Sequence, residues 1–101
     1  MKRIMVRYTV TPEAAEHNAK LVRAVYEELE REKPSTLRYG TFVLDDGVTF
    51  VHLAEDDAPE GVSTLAGIAA FQRFREGLSE RCTIPSAASA LSTIGTYRLL
   101  G

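Results

Sequence analysis

The stretch Phe42–Leu53, FVLDDGVTFVHL, reads as two short strands joined through Asp45-Asp46-Gly47, and both of its faces carry large apolar groups. A two-residue Asp46-Gly47 turn of the primed type is the simplest connection, and it sets Thr41 opposite His52 and Val43 opposite Phe50. Tyr39, Val43, Val48 and Phe50 then share one face, while Phe42, Leu44, Val51 and Leu53 share the other. A bulge in the turn would shift this register and move His52 to the opposite face. A sheet with one wet side alternates more cleanly than this, so the hairpin calls for a covering layer on each side.

The flanking segments supply one such layer. Lys2 to Val10 alternates as a strand, with Ile4, Val6, Tyr8 and Val10 on one side and Met5, Arg7 and Thr9 on the other. Thr11 is a good N-cap and Pro12 suits a first helical position, so a helix is predicted from Pro12 to Glu32, ending before Pro34. Its apolar stripe holds Ala15, Ala19, Val22, Val25, Tyr26 and Leu29, with His17 and Glu28 pointing elsewhere. After the Pro- and Gly-containing segment DDAPEGVSTLAG, a second helix is predicted over Ile68 to Arg81, burying Ile68, Phe71, Phe74, Leu78 and Cys82. TIPSAASALS reads as a loop of small residues, and Thr93 to Leu100 alternates as a last strand.

The order βαββαβ predicts one α+β domain over residues 1–101: a ferredoxin-like sandwich, with a four-stranded antiparallel sheet and two helices on one face. The other face is left for a second copy, so a homodimer is expected, the two sheets pairing into a dimeric α+β barrel. A content of 45% apolar and 26% charged residues suits one ordinary domain with a modest core, for which a partner's layer adds burial. The net charge of -2, with no basic stripe, argues against nucleic acid. The single cysteine excludes an internal disulfide and supplies no metal-ligand pair. MKRIMVRYTV lacks the pattern of a secretory leader, and no apolar run has membrane-spanning length, so a cytoplasmic protein without membrane contact is expected.

The strand order, the DDGVTFVHL hairpin, the FQRFREGLSERC helix and the closing IGTYRLL segment together resemble the dimeric α+β barrel superfamily, and within it the antibiotic biosynthesis monooxygenase-like domains. The resemblance covers nearly the whole chain and is architectural, without a catalytic signature. It implies a ligand cavity between sheet and helices and a cofactor-independent oxygenase or isomerase acting on a compact aromatic or polyketide-like molecule. It equally accommodates a dimeric ligand-binding or regulatory module without catalysis, or a domain whose pocket is filled by Phe71, Phe74 and Leu78. The haem-degrading branch usually carries a tryptophan, and this chain has none, so no cofactor is expected.

His52 is the leading catalytic candidate, because a neutral imidazole in mid-strand can take a proton from a phenol; the plainer reading is a packed histidine bonded to Thr41 or backbone. Asn18 falls about 40° from the centre of the first helix's apolar stripe, where an amide needs a partner, a substrate oxygen or a neighbouring backbone group. Tyr8 and Tyr39 are the substrate-positioning candidates, and Tyr26 and Tyr97 are core or rim aromatics. Arg7 and Arg98 suit surface pairing, Cys82 a small core hydrophobe, and Glu55, Asp56, Asp57 and Glu60 a solvated loop rather than a metal site.

Overall fold

In the computed structural model, which describes residues 1–99, the alternating N-terminal segment becomes β1 (Lys2–Val10), with Tyr8 and Val10 buried against the helices. Thr11 caps the turn that follows: its Oγ1 accepts the Ala14 N–H at 3.2 Å. Pro12–Ala14 forms a 3-10 turn, and α1 runs from Ala15 to Glu32. Lys33, left-handed at φ 47°, stops the helix just before Pro34. The buried side chains of α1 are Asn18, Val22 and Val25.

β2 (Leu37–Val43) and β3 (Thr49–Asp56) form the hairpin, with Thr41 opposite His52 and Val43 opposite Phe50 as the sequence predicts. The turn itself is wider than the predicted two-residue form. Leu44 N–H donates to Thr49 O, and the tight bond runs from Gly47 N–H to Leu44 O at 2.9 Å, so the loop spans residues 45–48. Gly47 takes φ 76°, and the Asp46 carboxylate accepts from the N–H groups of Val48 and Thr49 and from the Thr49 hydroxyl. That side-chain anchor favours the wider loop without shifting the register.

The predicted second helix is broken. α2 covers Ala69–Arg75, Gly77 adopts φ 72°, and α3 covers only Leu78–Arg81. Glycine reaches the left-handed region without steric penalty, and the carbonyls freed at the break then need donors. Arg81 supplies them, with Nη2 to Phe74 O at 2.7 Å and Nη1 to Glu76 O at 3.1 Å. The other end of α2 is held by Glu28 of α1, whose carboxylate accepts the Ala69 and Ala70 N–H groups.

The last strand also falls elsewhere than predicted. β4 is Cys82–Ala90, the segment that reads as a loop of small residues, and it begins directly after α3. Residues 93–99 are not a strand, and Leu100, assigned to it from the sequence, lies outside the described residues. Alternating apolar residues make a strand only where a free edge waits, and the edge of β1 is already taken. Pro85 is tolerated because β4 is an edge strand and Pro85 lies where the pairing shifts, between Ile84 and Ala87. Cys82 accordingly sits in β4 opposite Val10 rather than on a helix.

The sheet has the order β2-β3-β1-β4 with every pair antiparallel, and the helices cover one face: the ferredoxin-like α+β sandwich. On the other face Phe42 and Ile84 are 49% and 59% exposed, and Arg3 pairs with Glu55. Asp56 departs from the solvated reading of its loop. It is buried and accepts from the Ala58 and Thr64 N–H groups and the Thr64 hydroxyl. Burial alone would raise its pKa, but these bonds and the Lys2 charge outweigh it and hold the carboxyl below the usual value. Asp56→Ala strands those donors and should destabilise the fold by about 1–3 kcal/mol in urea unfolding; a change within error would show that the loop is held by other contacts.

Candidate functional site

A cavity of about 370 Å³ lies between the sheet and the helices, within the size range of small-ligand pockets. Val6, Leu65, Phe71, Phe74 and Leu78 form much of its wall, so the phenylalanines and Leu78 line the space rather than fill it. Ser86 and Ala88 of β4 close one side with little bulk. Tyr8, Tyr39 and His52 supply its polar interior, and Lys2, Asp56, Ser63 and Arg75 also border it.

Antiparallel pairing explains why these groups meet. Val6 of β1 and Thr41 of β2 flank His52 of β3 in register, so His52 occupies the middle of the helix-facing side. Tyr39 is two residues before Thr41 and shares that face, as does Tyr8 two residues after Val6. The imidazole is 4% exposed, and both ring nitrogens are engaged. Nε2 lies 2.8 Å from Tyr8 Oη, while Nδ1 lies 2.6 Å from Tyr39 Oη and 3.1 Å from Thr41 Oγ1. Tyr8, Tyr39 and Phe74 surround the ring with centroids 5.3–5.8 Å away.

Asn18 stands behind this group and is fully buried. Its Nδ2 donates to Tyr8 Oη at 2.9 Å, and its Oδ1 accepts from Arg81 Nε at 3.1 Å. Thr41 continues the chain to Tyr26, 2.7 Å away. The structure thus brings together all four residues singled out from the sequence: His52, Tyr8 and Tyr39 border the cavity, and Asn18 supports Tyr8 from outside it. Sequence reasoning missed Arg81, whose position among the outward residues of an unbroken helix concealed it. The available signal was Gly77, a helix breaker whose freed carbonyls a nearby cation can cap.

The other candidates lie apart. His17 is exposed on α1, Arg7 is exposed on the open sheet face, and Tyr97 is 82% exposed with Arg98 over its ring. Burial raises the Cys82 thiol pKa against the opposing Arg81 charge, which disfavours the nucleophilic thiolate. Among the described residues no group of three or more His, Cys, Asp or Glu side chains is placed to hold a metal ion, and no helix is long and apolar enough to cross a membrane. A larger hollow of about 1050 Å³ lies on the open-face side, beside residues 91–96. Its Arg3 and Glu55 are paired with each other.

Burial raises the Tyr8 pKa to about 12 despite the Asn18 bond, raises that of Tyr39 as well, and lowers that of His52 to about 4. The imidazole is therefore neutral at physiological pH. Between pH 6.5 and about 4 the unfolded chain binds a proton at His52 that the folded chain does not, so stability is full above 6.5 and falls as the pH drops. The loss by pH 4 should be on the order of 3 kcal/mol in urea titrations, and His52→Gln should lack it; equal slopes in both proteins would contradict a buried neutral imidazole.

No protein-family model matches the chain, and no curated protein matches it significantly. Solved structures do. An antibiotic biosynthesis monooxygenase superposes with a TM-score of 0.75 at 19% identity, over 94% of this chain and 100% of the other. A Mycobacterium tuberculosis protein gives 0.73 at 18% identity, over 94% and 96%. A mutant form of SnoaB, a cofactor-independent oxygenase from Streptomyces nogalater, gives 0.68 at 15% identity, over 97% of each chain. At such identities the likeness is one of fold: this chain has the α+β fold of the antibiotic biosynthesis monooxygenase-like proteins.

Proposed function

We propose that the protein is a small cofactor-independent monooxygenase-like enzyme of the cytoplasm, binding a compact aromatic or polyketide-like molecule between sheet and helices. The observation that carries this reading is the apolar cavity with an imidazole pinned between two tyrosine hydroxyls at its polar interior. Such a site excludes water from an electron-rich substrate while offering it directed hydrogen bonds. In the anthrone case the substrate's activated CH₂ group and dioxygen give a ketone and water, one oxygen atom entering each product. His52 orients Tyr39, which directs the substrate, while Tyr8 holds His52 and Asn18 holds Tyr8.

Anthrone added to the purified protein should consume one dioxygen per ketone formed and place labelled oxygen from ¹⁸O₂ in the product. His52→Ala should lose most of that turnover while keeping its circular dichroism. A second reading is favoured by the engagement of both His52 nitrogens: a binding or regulatory module without turnover. Saturable binding with no oxygen uptake would select it and sink the enzyme.

The open sheet face supports a homodimer, because Phe42 and Ile84 are too exposed there for a finished surface. Sedimentation should give twice the chain mass, with Phe42→Asp giving the monomer. A wild-type monomer at micromolar concentration would rule out this pairing as the covering layer.

A further inference from the structure

Hydrogen-bond direction in the buried chain can be counted from one end. Arginine only donates, so the side of Asn18 facing Arg81 Nε at 3.1 Å must be Oδ1, and its NH₂ group must face Tyr8 Oη at 2.9 Å. Tyr8 Oη therefore accepts from Asn18, and its own proton needs an acceptor. Among the described residues its only other hydrogen-bond partner is His52 Nε2, at 2.8 Å. Were Nε2 protonated, two donors would converge on Tyr8 Oη and the Tyr8 proton would be stranded on a side chain that is 1% exposed. A buried unpaired donor is costly enough to decide between tautomers. Nε2 is thus the acceptor and Nδ1 carries the proton.

That proton points at Tyr39 Oη, 2.6 Å away, with Thr41 Oγ1 farther off at 3.1 Å. Thr41 Oγ1 is also engaged with Tyr26 Oη at 2.7 Å. Tyr39 Oη meets His52 at this short distance, has the Thr41 hydroxyl as a second neighbour, and Tyr39 borders the cavity. A bound molecule competes with Thr41 for its proton.

We infer that Arg81, through Asn18 and Tyr8, locks His52 as the Nδ1–H tautomer, and that the chain of donors ends at Tyr39, which donates to a carbonyl or enolate oxygen of the ligand. Arg81, Asn18, Tyr8 and His52 are then positioning residues, and Tyr39 is the group that touches the substrate. The inference deepens the proposed function by specifying the ligand as a hydrogen-bond acceptor, and its assignment of the tautomer does not depend on that function. In this tautomer neither His52 nitrogen is free to take a substrate proton. The proton of a keto or enol substrate instead passes to solvent base, and the site stabilises the oxyanion that remains.

Nitrogen-15 NMR of the imidazole tests the lock without any ligand. The expected wild-type spectrum has a one-bond N–H coupling at Nδ1 and a pyridine-like Nε2. Asn18→Asp replaces the amide donor by an acceptor, so Tyr8 should donate to the carboxylate and Nε2 should become protonated. A protonated Nε2 in the wild type, or no reversal in folded Asn18→Asp, overturns the lock. If that variant does not fold, the wild-type spectrum still decides.

The outlet is tested with anthrone against 9,10-dihydroanthracene, the same ring skeleton without the carbonyl, under anaerobic conditions. Anthrone should bind the wild type more tightly, and Tyr39→Phe should weaken it roughly tenfold while leaving dihydroanthracene unchanged. Equal anthrone affinity in both proteins overturns the role of Tyr39. Binding of neither compound overturns that role and the aromatic-ligand reading beneath it, whereas the tautomer result stands on its own spectrum.

Discussion

An imidazole enclosed between a sheet and its helices must find partners for both nitrogens without water, and that demand ties together more of this chain than any single apolar contact. His52 of β3 draws on Tyr8 of β1 and on Tyr39 and Thr41 of β2. Tyr8 in turn meets Asn18 of α1, and Asn18 meets Arg81 at the end of α3. Each link is a modest interaction by itself, yet removing one member strands its neighbour's buried polar atom. The network therefore specifies how the strands, α1 and α3 sit relative to one another, beyond what apolar burial requires.

The break at Gly77 is what admits Arg81 to that network. An uninterrupted helix from Ile68 to Arg81 would carry the guanidinium on its outward face. With the chain turned at φ 72°, Arg81 reaches back to the carbonyls of Phe74 and Glu76 and presents Nε to Asn18. The same early ending lets β4 start at Cys82 and run beside β1. Because β4 contributes Ser86 and Ala88 to the cavity wall, side-chain volume is missing where larger residues would close the space. One left-handed glycine thus bears on both the polar interior of the site and the room around it.

The hairpin places the site and also leaves apolar groups on the open sheet face. Its register puts Tyr39, Thr41, Phe50 and His52 toward the helices and leaves Phe42, Val51 and Leu53 on the opposite face. Slippage by one residue would exchange the two sets, taking His52 out of the cavity. The Asp46 carboxylate, bonded to the N–H groups of Val48 and Thr49, holds the loop end of this pairing.

The sequence by itself determined the first three strands, the first helix behind its Thr11-capped turn and, for a turn without a bulge, the hairpin register, but it left open the face that carries His52. Those features follow from periodicities of two and 3.6 and from local caps, which are properties of neighbouring residues. Tertiary structure alone decided the rest. The small-residue segment Cys82–Ala90, rather than residues 93–99 with their bulkier alternating side chains, became β4 because it follows α3 directly onto the free edge of β1. Asp56 became a buried acceptor and Arg81 the anchor of Asn18 because their partners lie far along the chain, at Thr64 and at Asn18. Which hydrogen bond a polar side chain makes depends on what the completed fold places within about 3 Å of it, and no local pattern encodes that distance.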